Sequence, residues 1–431
     1  MRSRRVAERL LLAGLLTLGA ACGSRLPESD FTARPATATA PGTAPVRIGI
    51  IASTTSPVGG DAFAGPGEGA AAYFAALNAR GGLDGRPVEV HTCDDGGSGV
   101  GNNACVHELV DEKKVFALVA TTALDYAGAP LVSRAGVPDI GGQPIGTAYD
   151  TYPHLYGIYG SDAPRDGRAP GRDGTLYAGT EVYRWFRLHR GARTAAVVSY
   201  NQAASASYAR LLTRGLAAEG YRVAQEQVDF ALPNFGAVAA DLKARGTDVV
   251  FDALDSHGNA RLCAAMDRAG VRVTAKVTNV QNWHDAVREE YADAPHCRNA
   301  LWVTGSSRNH ADASHPAVAA FRAAMLPRLH GRPLSQWQLE GWAAAMWFTD
   351  AARSCRGDLT RPCVERFLNR AEPYTAAGLL LPVSFRPAAR PPRTHRACLS
   401  VARWQDAHGW TGQGGEMTAN CLDVPLLPHR P

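Results

Sequence analysis

The stretch 46–95, VRIGIIASTTSPVGGDAFAGPGEGAAAYFAALNARGGLDGRPVEVHTCDD, constrains the fold of this 431-residue chain more than any other. It opens with VRIGII, a nearly continuous β-branched run of the kind carried by strands buried on both faces in parallel sheets. A Ser/Thr/Gly/Pro loop follows. From about Pro66 the apolar residues Ala70, Tyr73, Phe74 and Leu77 recur at helical spacing, and Gly81, Gly82 and Gly85 predict the end of that helix and a turn. PVEVHTC is the second predicted strand. A β-α-β unit of this kind places its first loop at the carboxyl end of a parallel strand, where open α/β sheets bind ligands. The chain therefore points to a binding site before any catalytic residue is found.

The alternation continues along the chain. A Gly-rich loop leads to a predicted helix over 104–112, a buried strand VFALVA over 115–120, a helix over 127–135 and a short strand in VPDIGG. The polar stretch 161–174, SDAPRDGRAPGRDG, then reads as a linker. A second series begins beyond it, with a helix predicted over 176–189 and strands in TAAVVSY, YRVAQEQVDF, DVVFDAL, AKVTNV and ALWVTGSS separated by helices. Two such series around one linker predict an α/β chain of two doubly wound, Rossmann-like parallel-sheet domains. Further on, 339–352 is a strongly apolar helix and 361–370 a last one. LLLPVSF, 398–404 and 409–411 read as antiparallel strands of a closing edge.

The beginning of the sequence sets the compartment. Arg2, Arg4 and Arg5 precede LLLAGLLTLGA, an apolar run too short for a stable span, so residues 1–21 read as a secretory signal. LTLGAAC resembles a bacterial lipobox, which makes Cys22 the lipidation candidate and 22–45, rich in Pro, Ala, Thr and Ser, a disordered tether. Without 1–21, which holds four Arg and one Glu, the net charge is (45 − 4) − (40 − 1) = +2. That near-neutral balance, with its basic residues scattered, gives no support to a nucleic-acid role. Eight further cysteines, Cys93, Cys105, Cys263, Cys297, Cys355, Cys363, Cys398 and Cys421, form an even set in an exported chain and predict four disulfides. Zinc lacks its usual C-x-x-C or H-x-x-x-H spacing. Cys93/Cys105 and Cys355/Cys363 are close enough in sequence to be local clips.

Other signals carry less. GPGEG at 65–69 lacks the G-x-G-x-x-G spacing and the Walker lysine, so its glycines read as the start of a helix. His310 and His315 lie in a polar segment with no third metal ligand and read as a solvated loop. Ser205 and Ser207, with His257 and Asp255 elsewhere, lack a G-x-S-x-G elbow. Trp337, Trp342 and Trp347 read as helix core. Neither a cofactor, a metal nor a catalytic residue is expected.

The order of these segments, from VRIGII through SPVGGDAFAGPGEGAAAYFAALNARGGLDGRPVEVHTCDD and VFALVATTALDYAGAPLVSRAGVPDI to FDALDSHGNARLCAAMDRAGV, resembles the type I periplasmic binding proteins. It is most similar to the branched-chain amino acid and amide binding subgroup that serves ABC importers, over about 46–410. The resemblance implies two lobes, 46–165 plus 305–382 and 175–304 plus 383–427, joined by three hinge crossings near 161–174, 303–306 and 382–385. It implies a ligand between them, met on one side by Ser56, Thr121, Thr122, Ala123 and Gln143. On the other side it implies Tyr200, Asn201, Asp255, Ser256, Gln281 and Trp283. Two positions depart from the amino-acid-binding pattern: the segment Gly142, Gln143, Pro144, Ile145 replaces a small hydroxyl residue, and the loop at Gln281 lacks a carboxylate. The function implied is an extracytoplasmic, lipid-anchored, monomeric solute receptor for an ABC importer. The alternative is a ligand sensor of the same fold, and a remoter one an enzyme on this scaffold. Asp255, as a cleft carboxylate, is expected to be solvated without ligand and dispensable for stability.

Overall fold

In the computed structural model, which describes residues 44–387 and 391–431, the opening run forms β1 (Val46–Ala52). It pairs in parallel with β2 (Val88–Asp94) and β3 (Ala117–Val119), so that Ile48 stands beside Val90 on one side and Ala117 on the other. β4 (Asp139–Gly142) and β5 (Leu155–Gly157) complete an all-parallel sheet of order β2-β1-β3-β4-β5. Both faces are covered. Ile48, Ile50, Phe74 and Trp347 share one cluster, while Ile51, Leu118, Val132 and Leu155 share the other. This is why the run reads as continuously apolar rather than alternating.

The first helix runs from Gly60 to Asn78, earlier than its predicted start and straight through Pro66. It crosses the helix Gln336–Arg353 at unusually short range. A Cβ on Gly69 would lie 1.8 Å from the Gln338 carbonyl oxygen, and one on Gly341 would lie 1.9 Å from that of Pro66. Only glycine fits at either point. Glycines that the sequence suggests as helix-start residues thus mark a backbone-to-backbone crossing.

A short strand β6 (Leu176–Ala178) precedes the second sheet. That sheet contains β7 (Thr194–Tyr200), β8 (Arg222–Val228), β9 (Val249–Ala253), β10 (Ala275–Thr278) and β11 (Leu301–Gly305), all parallel. After β12 (Thr394–Cys398), β13 (Ser400–Gln405) and β14 (Gly409–Gln413) extend its edge antiparallel, giving the order β14-β13-β11-β10-β9-β7-β8. Helices again cover both faces, with Val198, Leu242, Leu262 and Trp283 in one core and Phe186, Leu216, Phe251 and Trp302 in the other. The α/β architecture of two doubly wound sheets expected from the sequence holds.

The departures have local causes. Residues 176–178 are strand rather than helix because they pair with β16 (Leu427–His429), which follows β15 (Cys421–Pro425); the helix begins only at Glu181. The helix predicted from residue 104 begins at Gly99, where the Ser98 hydroxyl accepts the Gly101 N–H as its cap, and it tightens no further but widens to a π-helix over His107–Glu112. LLLPVSF forms no strand. It is apolar because Leu379, Leu380, Val383 and Phe385 fill the first lobe's core, and among the described residues its bridges are Leu380 with Ser307 and Val383 with Tyr374.

The chain passes between the sheets after β5, after β11 and before β13. These crossings lie side by side, with Ser161 N–H bonded to the Ser384 carbonyl at 3.1 Å and Leu381 N–H to that of Ser306 at 2.8 Å. All eight cysteines pair, as Cys93–Cys105, Cys263–Cys297, Cys355–Cys363 and Cys398–Cys421. The signal 1–21, Cys22 and most of the tether lie outside the described residues. Among the described residues no helix is long and apolar enough to cross a membrane.

Candidate functional site

The carboxyl ends of the two sheets meet. The loop after β10 brings Gln281 against the start of the first helix, where a Cβ on Gly59 would stand 2.2 Å from Gln281 Nε2. The same loop is stitched to the first lobe by Gln336 N–H donating to the Trp283 carbonyl at 2.8 Å and Asp285 N–H donating to that of Leu334 at 2.9 Å.

Several residues implied by the resemblance turn out to be committed to the fold. Ser56 is buried, its hydroxyl accepting the Val58 N–H at 3.2 Å. Thr122 donates to the Ala120 carbonyl at 3.1 Å, and Thr121 and Ala123 are buried beside it. Gln143 is buried and donates to Glu340 Oε2 at 2.7 Å. In the second lobe the Tyr200 hydroxyl donates to Asp255 Oδ1 at 2.8 Å. Asn201 ties down the next loop, donating to Asp229 at 2.9 Å and accepting the Phe230 N–H at 3.1 Å. Ser256 opens the helix Ser256–Ala269. Trp283 is fully buried against His310 and Trp410.

Asp255 differs from expectation. Its Oδ1 also accepts the Gly258 N–H at 2.8 Å, so it caps the helix it precedes instead of standing free. Asp255→Ala should therefore lower unfolding free energy by about 1–2 kcal/mol, the cost of losing an N-cap. A urea melt unchanged from wild type would remove the capping role. His310 departs too: it is no solvated loop residue but is fully buried, its ring nitrogens 3.2 Å from Gln336 Oε1 and 3.0 Å from Asp285 Oδ1. Burial works to raise the Asp285 carboxyl, yet the His310 hydrogen bond and charge hold it below the ordinary value.

Open space lies on the hinge side. A crevice of about 920 Å³ is lined by the loop 144–147, by Tyr159 to Asp162 of the first crossing, and by Ser207, Tyr208 and Leu211 of the second lobe. A smaller cavity of about 200 Å³ adjoins it. Among the described residues no group of three or more His, Cys, Asp or Glu is placed to hold a metal.

Residues 45–409 match the family model described as periplasmic binding protein. The chain belongs to the periplasmic binding protein family. This binding protein shares its fold with an extracellular ligand-binding receptor from Verminephrobacter eiseniae, at 17% identity and TM-score 0.65, covering 85% of this chain and 99% of that one. A leucine-binding protein from Thermotoga maritima is similar at 15% identity and TM-score 0.64, covering 88% and 99%. An ABC transporter solute-binding protein from R. palustris in complex with benzoate is similar at 13% identity and TM-score 0.65, covering 89% and 97%. Comparison with curated proteins returned no match. Membership implies a binder of small ligands that works outside the cytoplasm.

The periplasmic binding protein carries a buried carboxylate at its hinge that the sequence reading misses. Glu340 is fully buried, and it accepts from Gln143 at 2.7 Å, from Tyr159 at 3.0 Å and from Ser307 at 2.6 Å. It thereby joins the loop after β4 to two of the crossings. The signal was present: Glu340 is the one acidic residue among QWQLEGWAAAMWF. Burial raises its carboxyl to about 7, against three hydrogen bonds that pull the other way. A carboxyl raised in the fold supplies stability that is complete below its unfolded value near 4.3 and is lost as pH climbs through 7. His284, pushed down to about 4 by burial, acts oppositely, so the comparison must be between variants. Glu340→Gln should remove a fall of about 2 °C or more in melting temperature between pH 4.5 and 7.5. Parallel pH profiles for the two proteins would exclude this titration.

Proposed function

We propose that this protein is a lipid-anchored solute receptor that captures a small ligand between its lobes and presents it to an ABC importer. The observation that carries the reading is a hinge-side crevice walled by both lobes, with the loop 144–147 and the first crossing on one side and Ser207, Tyr208 and Leu211 on the other. A ligand held there contacts both lobes only when they are closed, and that difference is what favours closure. Benzoate in one similar protein and leucine in another fit a small organic solute as the class. Tyr159, shared by the two cavities, and Ser207 and Tyr208 of the second lobe are the groups proposed to face it.

The reading is tested by a thermal-shift screen of amino acids, amides, polyamines, aromatic acids and aromatic amines. A ligand at 100 times its dissociation constant should add about 2.7 kcal/mol of stability. Small-angle scattering should show compaction with the same ligand. A screen in which no solute shifts the melt or compacts the protein would count against a receptor. Lipid anchoring is tested separately: Cys22→Ser should move the protein out of the membrane fraction with ligand binding intact.

A further inference from the structure

The two hinge-side cavities share Tyr159 and Tyr208 in their walls. The smaller runs into the second lobe beneath the ends of β9, β10 and β11, and four aromatic rings, Tyr159, Tyr183, Tyr208 and Phe251, line it. Among them sits Thr278, only 4% exposed, whose hydroxyl has no hydrogen-bond partner among the described residues. An unpaired buried hydroxyl is costly to keep, and such groups call for an explanation such as a guest that completes the bond.

The charge balance narrows the guest. Asp252 lines the chamber, but its carboxylate is already held by Lys276, by Asn259 Nδ2 at 2.9 Å and by the Leu254 N–H at 3.2 Å. Lys276 is spent in turn on Asp252 and Asn259 Oδ1. No other charged residue lines this chamber among the described residues. A carboxylate pushed inside would lose its hydration with no counter-charge to meet it, whereas an uncharged ring with one polar substituent would not.

The larger crevice carries a negative bias. Asp150 and Asp162 line it, while its basic residues are Arg172, already engaged, and His429, which burial holds below its ordinary value. Ile145, Tyr177 and Tyr208, three of the seven exposed large hydrophobic residues among those described, stand at its walls.

We infer that chamber and crevice together bind an aromatic amine, with the ring between Tyr159 and Tyr208, its polar substituent on Thr278 and its ammonium towards Asp162. The inference rests on the solute-receptor reading and names the ligand class for it. Because Tyr159 also bonds Glu340, a ring seated against it fixes the first crossing and favours the closed arrangement.

Tyramine is the probe, and 4-hydroxyphenylacetate, with the same ring and the opposite charge, is its control. Calorimetry should show tyramine binding at least about tenfold more tightly than the acid. Thr278→Val keeps the shape and removes the hydroxyl. It should weaken tyramine by about fivefold or more while leaving the ligand-free melting temperature equal or higher, since an unpaired polar group has gone. Asp162→Asn should erase the preference for tyramine over the acid. Equal binding of the acid by the wild-type protein, or full tyramine affinity in Thr278→Val, would overturn the inference. If tyramine fails to bind but leucine or benzoate stabilises and compacts the protein, the inference falls and the receptor reading stands. If no solute does so, both fall.

Discussion

Gly341→Ala should lower the free energy of unfolding by about 3 kcal/mol, at the upper end of what overpacking costs. The added methyl carbon would stand 1.9 Å from the Pro66 carbonyl oxygen, 2.5 Å from its carbon and 2.6 Å from the Pro66 Cα. All three are backbone atoms of a helix. No side-chain rotation can clear them, so the two helices must separate and Phe74, Leu339 and Trp342 lose part of their packing in the first lobe's core. Gly412→Ala is the matched control: its added carbon meets nothing within 4 Å, and it should stay within about 0.5 kcal/mol of wild type. A urea midpoint for Gly341→Ala equal to that of the control would mean that the crossing is looser than described.

The same crossing shows what a sequence carries and what it withholds. VRIGII could be read as a doubly buried strand because burial on both faces leaves its mark on every residue of the run. The glycines at 69 and 341 carry no such mark, because each is required by a partner more than 250 positions away. The hinge-side segments were harder still. LLLPVSF has the composition of a strand yet serves as filling for the first lobe's core. Leu176 to Ala178 continue smoothly into helix-forming sequence, but pairing with β16 takes them first. Tertiary context overrides local preference in both.

The site was legible at the level of loops and not of side chains. A hydroxyl directly after a buried strand suggests a ligand donor, and Thr121 and Thr122 stand in that position. Thr122 instead turns back on the Ala120 carbonyl two residues away, a local bond that polar residues at strand ends readily make. Asp255 was found because it follows a strand, but the fact that it also precedes a helix gives it a capping duty. Tyr159, Tyr208 and Thr278 come together only through the hinge, so no spacing along the chain could have grouped them.

Lys276→Met should cost about 3–5 kcal/mol of stability, the penalty of breaking a buried ion pair from one side. Lys276 and Asp252 are both wholly buried, on the adjacent parallel strands β10 and β9, and the ammonium also accounts for Asn259 Oδ1. Removing it leaves the Asp252 carboxylate with only the Asn259 amide and the Leu254 N–H, neither of which carries a charge. The loss belongs to the uncompensated charge rather than to the pair itself, and a second substitution separates the two. Lys276→Met with Asp252→Asn removes both charges and should recover at least about half of the loss, because replacing a buried pair by neutral groups is often tolerated. Thr278 follows Lys276 by two residues on β10. Its placement depends on that strand staying in register with β9, so Lys276→Met should also weaken ligand binding, and the double variant should restore it in parallel with stability. Denaturant melts and calorimetry on the three proteins decide the matter. A double variant no more stable than Lys276→Met alone would show that the penalty comes from lost packing around the lysine stem, not from the stranded charge.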